Sequence, residues 1–188
     1  MPTRTAKPKL LEFPLDRAFT FLESGPVLLV STCHKRQRNL MTLSCHASMG
    51  FEPTLGLVLG PWNHSYTALI ETGECVVAVP PASLMGKVID IGNCSGAKVD
   101  KFGKFGLTAQ KAAQVKAPLV ADCLKNLECR VVEYLEARNF FILEGLQAWH
   151  NPDAPDQRTF HAVGDGTFII DGETVNLRRR MTKWQDCI

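Results

Sequence analysis

The sequence predicts a mainly β fold, a β-barrel carrying short helices, and three observations predict it. Six or seven apolar runs have strand length and are bounded by turn residues. The segments between them are turns or short helices, with no regular strand–helix–strand repeat. Two long β-type runs, "NLECRVVEYLEA" and "NFFILEGLQAWH", follow one another late in the chain. A doubly wound parallel sheet would alternate its strands with full helices, so a barrel is the better reading.

The elements follow in order. Residues 1–12 begin "MPTRTAKPK", with Arg4, Lys7 and Lys9 and no acid before Glu12, and read as a mobile basic arm. Residues 13–188 read as one domain. "PLDRAFTFLESG" is a short helix with Leu15, Ala18, Phe19 and Leu22 on one face, stopped by Ser24-Gly25. "VLLVST" is a buried strand, and the polar "CHKRQRN" turns the chain into a second. "LGLVLG" is a third. In "PWNHSYTALIETGE", Asn63 or Ser65 caps a helix that Gly73 ends. "CVVAVP" is a fourth strand, and Ser83 opens the helix "LMGKVIDI". "GNCSG" is a loop and "AKVDKFGKFG" a basic helical turn. Of the two long runs, the first is ambiguous with a helix through Leu124, Leu127, Val131 and Leu135. "NPDAPDQ" is a turn, and "TFII-DGE-TVNL" signals a hairpin around Asp171-Gly172.

Composition limits the function. The 188 residues are 45% apolar and 21% charged, enough for a packed core. A net charge of +2 is too balanced for nucleic acid to be the main partner. "RRRMTK" near the end reads as a solvated strand end. The seven cysteines are odd in number, lack C-x-x-C spacing and lie partly in apolar runs, as Cys75 does. That pattern predicts free thiols in a reducing cytoplasm. No apolar stretch approaches the ~20 residues of a membrane span, and no apolar signal segment opens the chain.

The segment "NLMTLSCHAS", Asn39 to Ser48, alternates. Leu40, Thr42, Ser44 and His46 share one side of an extended strand, and Asn39, Met41, Leu43 and Cys45 share the other. Small polar groups recur beside apolar strands: Thr42, Ser44 and Ser48, then Ser65, Tyr66 and Thr67, then Ser95 and Gly96 with Lys98 and Lys101 beyond. Hydroxyls, loop N–H groups and a helix start are donors suited to phosphate and polyol.

Other motifs are absent. There is no G-x-G-x-x-G after a strand, no P-loop and no H-E-x-x-H, and the five histidines are too dispersed for a zinc site. Gly92-Asn93-Cys94-Ser95-Gly96 fits a cysteine version of the nucleophile elbow, with His161 and Asp122 available for a triad. An elbow needs a parallel α/β sheet, which this chain does not predict. A cysteine hydrolase on Cys94 therefore stands only as a remote alternative.

Taken in order, these pieces resemble the flavin reductase-like family, the FMN-binding split β-barrel, and especially its flavoredoxin branch. The residues that carry the resemblance are Asn39 to Ser44, Ser48 to Pro53, His64 through Gly73-Glu74 to Val77, Cys94 to Gly96, Asp100 to Phe102, Gly106 to Thr108, and His161 to Phe168. It implies a homodimer with FMN at the interface and NAD(P)H as electron donor. Electrons would pass to a small-molecule or protein acceptor, and a flavoredoxin-type carrier with little NAD(P)H activity is the alternative. The implied cofactor-binding residues are Asn39, Met41, Thr42, Leu43, Ser44, Cys45, Ser48, His64, Ser65, Tyr66, Thr67, Cys94, Ser95, Gly96 and Lys101. Main-chain groups of Met41 to Ser44 would reach the ring edge, and the Thr42 and Ser44 hydroxyls the ribityl chain or phosphate. Ser65, Tyr66 and Thr67 would hold the phosphate. The family often has a basic residue where this chain has His64, which leaves Lys87 or Lys101 to supply the countercharge. It also has Trp in many members at Cys45, and commonly Asn at Ala78. Chemistry in such a site belongs to the flavin, so no catalytic side chain is expected.

Overall fold

The computed structural model describes residues 8–181. Arg4 and Lys7 of the basic arm, and Lys183 and Cys187, lie outside the described residues. Residues 10–12, assigned to the arm by composition, belong to the folded domain. Leu10 is buried, and Leu11–Phe13 (β1) pairs with residues 148–150. A three-residue strand beside a basic run is too short to register as a pattern, and only its distant partner fixes it.

Seven longer-range strands build the main sheet: Leu28–His34 (β2), Gln37–Leu43 (β3), His46–Ser48 (β4), Thr54–Val58 (β5), Glu74–Val79 (β6), Lys125–Leu135 (β9) and Phe140–His150 (β10). Ala109–Gln110 (β7) and Leu119–Val120 (β8) form a separate small ladder. The main order is β3-β2-β6-β9-β10-β5-β4, antiparallel throughout, with β1 beside β10. The two edge strands, β3 and β4, are neighbours in the chain. The predicted continuous strand Asn39–Ser48 is therefore two strands, broken at Ser44 and Cys45, where the chain leaves β2 for β5.

Period-two alternation explains the core. Leu28, Val30, Met41, Leu43, Leu55, Leu57, Val77, Cys129, Phe141 and Leu143 point inward and form one buried cluster. Leu69 of helix α1 (Ser65–Thr72) and Phe21 of the 3-10 turn Leu15–Phe21 also pack into it. The opposite face of β2 and β3, through Leu29 and Leu40, is covered by Val88 and Ile91 of α2 (Met85–Gly92) and Phe102 of α3 (Lys101–Phe105). The helix–strand ambiguity over residues 124–135 resolves as β9, because Leu127 and Cys129 enter the barrel core while Asn126 and Glu128 turn to the other face.

Glu128 organises that other face. Its residue is fully buried, and its carboxylate accepts from the backbone N–H groups of Ala113, Gln114 and Val115 and from Trp149 Nε1 at 2.8 Å. Loop 111–117 lacks a ladder of its own, so these bonds satisfy its buried donors. Asn126 does the same for Val120, accepting from its N–H and donating to its carbonyl.

The C-terminal hairpin differs from expectation. Phe168–Ile170 (β12) pairs backward with Phe160–Ala162 (β11), not forward across Asp171-Gly172. Asp171 does not sit in a turn. Its carboxylate accepts from the Thr159 N–H and hydroxyl and meets His161 Nε2 at 2.7 Å. His161 Nδ1 lies 3.1 Å from the Gly25 carbonyl, which fastens the hairpin to the start of the barrel. Cys33, Cys45, Cys75, Cys94, Cys123 and Cys129 are all free thiols.

Glu128→Gln leaves the shape but points an NH₂ group at a set of N–H donors. Thermal or chemical unfolding is expected to show a loss of about 3 kcal/mol, the scale of a buried charge-assisted cluster left mismatched. A loss within experimental error would mean that the loop holds itself.

Candidate functional site

A cleft of about 280 Å³ opens where β3, the start of α1, the end of α2 and the start of α3 meet. β3 contributes Asn39, Met41 and Thr42, and the segment leading into α1 contributes Trp62, Asn63, His64 and Ser65. Gly92 to Gly96 form the facing wall, and Lys101 closes it. β3 is an edge strand with β2 as its one ladder partner, so residues of both alternation classes border the cleft.

The polar groups here are unusual in what they leave open. Asn39 is buried; its Nδ2 donates to Ser65 Oγ at 2.8 Å, while its Oδ1 has no partner among the described residues. An ordered buried amide with one unmatched atom is rare in native proteins and needs an explanation. The sequence predicts Asn63 or Ser65 as the cap, but the Asn63 Oδ1 accepts from the Gly60 N–H. Instead His64 stands at the N-cap with helical φ and ψ and no side-chain cap bond, and the Ser65 oxygen accepts from Asn39. The first turn of α1 is therefore not capped by a side chain, and its N–H groups make the positive end of the helix. Gly73, at φ 65°, closes the other end.

Lys101 is 4% exposed and donates to the Ile91 carbonyl at 2.9 Å. Burial pulls its ammonium below the usual lysine value, with Cys94 acting weakly in the opposite sense. An ammonium has three donors, and one carbonyl takes one of them. A buried cation without a counterion is costly, so this arrangement favours an anion. Gly96 completes the cradle. A Cβ there would lie 1.9 Å from Asn39 Oδ1 and 2.9 Å from His64 Cδ2, so only glycine lets the loop approach β3 this closely.

The fold brings together Asn39, Met41, Thr42, His64, Ser65, Cys94, Ser95, Gly96 and Lys101 of the residues singled out from the sequence. It does not bring the others. Leu43 is in the barrel core, and Ser44 and Cys45 are exposed at the crossing between sheet edges. Ser48 bonds to the Gly50 carbonyl beside a separate cavity that it shares with His46. Tyr66 turns inward, its hydroxyl 3.1 Å from that of Tyr134 and its ring edge-on to Phe141. Thr67 lines the neighbouring cavity. The Thr42 hydroxyl does not face the cleft freely but donates to the Val88 carbonyl at 2.5 Å. Lys87 is exposed and outside the cleft, which leaves Lys101 as its buried cation. His46 Nε2 lies 2.7 Å from the Pro26 carbonyl; burial lowers its pKa, and this backbone bond partly offsets that. Trp62, Asn63, Gly92 and Asn93 also line the cleft and are not among the cofactor-binding residues the resemblance implies, although each is within two positions of one that is.

The hydrolase alternative loses its geometry. The residues before Gly92 are helix α2, not a strand, so Cys94 is not on an elbow. Its thiol donates to the Ile91 carbonyl at 3.8 Å. His161 is held by Asp171 and Gly25, and Asp122 accepts from the Thr108 N–H. No triad assembles.

Comparison with known proteins agrees. Residues 22–175 match the family model described as the flavin reductase like domain. The chain belongs to the flavin reductase-like family. A protein of Archaeoglobus fulgidus is 37% identical over 126 residues, 65% of this chain and 70% of its own. The FMN-binding domain of a flavin reductases-like enzyme from Shewanella baltica has a TM-score of 0.83 at 23% identity, covering 91% of this chain and 98% of that one. Flavoredoxin from Methanosarcina acetivorans has a TM-score of 0.71 at 27% identity, covering 84% and 90%. The fold is thus the split barrel of that family.

The donor set of this flavin reductase-like chain fits a flavin mononucleotide. The cleft pairs an ammonium and an uncapped helix start, suited to a phosphate, with an orphaned amide and a close glycine loop suited to a polyol. Gly96→Ala pushes a methyl into Asn39 and is expected to weaken flavin binding about tenfold, or about 1.4 kcal/mol, with the circular dichroism unchanged. Unaltered affinity in a flavin titration would place the cofactor elsewhere.

Proposed function

We propose that this protein holds FMN in the Gly96 cleft, uses NAD(P)H as electron donor and acts as a flavin oxidoreductase. The observation that carries the reading is Lys101: a buried ammonium with donors to spare, bordering the same cleft as Asn39, whose Oδ1 is unmatched among the described residues. Lys101, Ser65 and the first N–H groups of α1 would take the phosphate. Asn39, Ser95 and the loop to Gly96 would meet the ribityl hydroxyls, and Met41 and Trp62 offer apolar surface to the ring. Bound FMN supplies hydride acceptance and electron release in ones or twos. The protein's residues bind and orient it, and no side chain needs to act as acid or base.

The reading includes a homodimer. Trp62 borders the cleft at 71% exposure, and a second copy over the cleft would bury it. Free thiols, three of them fully buried, support a reducing, cytoplasmic setting. No described helix is long and apolar enough to cross a membrane. The likeness to a flavoredoxin favours a second reading, an FMN electron carrier with little NAD(P)H activity.

Visible absorbance of the purified protein, taken without oxygen, separates the readings. A two-band flavin spectrum bleached by NADH or NADPH supports the reductase. One bleached by dithionite alone supports the carrier, and a protein that takes up no FMN refutes both. Lys101→Met is expected to raise the FMN Kd about tenfold or more, the scale of a lost charge-assisted hydrogen bond. Cys94→Ala is expected to keep both flavin and activity.

A further inference from the structure

The cleft does not stop at Gly96. A second cavity of about 220 Å³ shares Asn39, His64 and Gly96 with it and adds Thr32, Gln37 and Arg38. A third, of about 370 Å³, shares Gln37, Arg38 and Gly96 with the second and adds Arg36 and Lys98. The three adjoin around Gly96 and together reach from the proposed flavin cleft to the β2–β3 turn.

Two independent features set this run of cavities apart. Thr32 is 1% exposed, yet its Oγ1 has no hydrogen-bond partner among the described residues, and Thr32 borders the second cavity. A buried hydroxyl left unmatched in this way is an exception that an added ligand group would remove. The turn is the second feature. Lys35 and Arg36, at φ 49° and 65°, both sit in the left-handed region. Two-residue hairpin turns of this kind are strain-free with Asn-Gly. Two long cationic side chains hold that geometry at a cost, and such strain collects at functional positions.

Charge selects the ligand class. Arg38 is already matched, donating to Asp100 at 2.7 and 3.3 Å with its guanidinium 5.1 Å from the centre of the Phe102 ring. His34, at the same end, meets Glu71 at 2.6 Å. Arg36 and Lys98 have no anionic partner among the described residues, and Asp100, held by Arg38, is the one acid that borders their cavity. An unopposed pair of cations in a cavity that adjoins the proposed phosphate site suits another phosphate.

We infer that the groove from Gly96 to the Lys35-Arg36 turn is a second phosphate subsite, taking the phosphate borne by the adenosine half of a dinucleotide. This rests on the FMN reading for the first subsite. The adenosine phosphate has two sources: the adenylate of FAD bound in place of FMN, or the 2′-phosphate of NADPH beside bound FMN.

The test uses the full chain with two variants. One replaces the turn, Lys35→Asn with Arg36→Gly; the other is Lys98→Ser. FMN and FAD are titrated into flavin-free protein, and 2′,5′-ADP and 5′-AMP into the protein with and without FMN. Both variants are expected to bind FMN as the wild type does, and the turn variant to melt at a higher temperature because its strain is gone. Discrimination should fall about tenfold in each variant. A drop in the FAD-to-FMN ratio assigns the groove to FAD, and a drop in the 2′,5′-ADP-to-5′-AMP ratio assigns it to NADPH. Both ratios within twofold of wild type in both variants would overturn the proposal. The 2′,5′-ADP arm needs no flavin. Protein that binds it through Arg36 and Lys98 but takes up neither flavin would therefore sink the FMN reading and leave the subsite standing.

Discussion

Ser44 and Cys45 carry the chain from one edge of the main sheet to the other, and the site depends on that crossing. A curled sheet with seven strands in its path has two unpaired edges, each a row of open backbone groups. Here those edges, β3 and β4, are consecutive in the chain, so two residues bind the rims together covalently. The crossing keeps β3 as an edge beside α1, α2 and α3. A ligand can then approach a strand side-on, where backbone and side chains of both alternation classes are within reach. A central strand would hide its backbone in the ladder.

That placement explains the polar irregularities of the cleft. Asn39 is on the inward face with Met41 and Leu43, at the rim where α1 packs across β2 and β3. Its amide is the first polar group past the apolar interior, and it is tied to Ser65 rather than to a neighbour on its own sheet. Lys101 reaches the same space from the other wall, through α3, whose start is fixed by Asp100 accepting from the Phe102 N–H. Asp100 in turn holds Arg38. Cation and amide are thus held by separate elements and border one opening, an arrangement fixed by the fold itself.

Much of this was legible in the residues, for reasons that also explain what was not. β2, β5, β6 and β10 are apolar runs of strand length bounded by turn residues, β9 needed its sheet partners to separate it from a helix, and Gly73 marks the end of α1 through its backbone freedom. The resemblance to the flavin reductase-like family grouped Asn39, Ser65, Gly96 and Lys101, although each alone reads as a surface or cap residue. The failures are long-range. Nothing local shows that Ser44-Cys45 changes sheet partners, that Leu11–Phe13 finds β10, or that Tyr66 turns toward Tyr134. Thr42 and Ser65 have the residue types of ligand donors, but their hydroxyls already engage Val88 and Asn39, and composition cannot reveal a partner 46 or 26 positions away. The hairpin near Asp171 failed for the same reason, because its carboxylate is drawn back to Thr159 and His161.

The topology also sets an order in time. Every residue that borders the cleft lies between Asn39 and Lys101. The strands that join β2 and β6 to β5 and β4 are β9 and β10, which begin at Lys125 and end at His150. A chain emerging from the ribosome presents all the cleft residues before it has the strands that hold the two halves of the sheet in register. Until β10 emerges, the rims joined at Ser44-Cys45 belong to two separate ladders. The cleft is therefore encoded early and completed late: its walls are in place in the chain before the strands that fix their spacing.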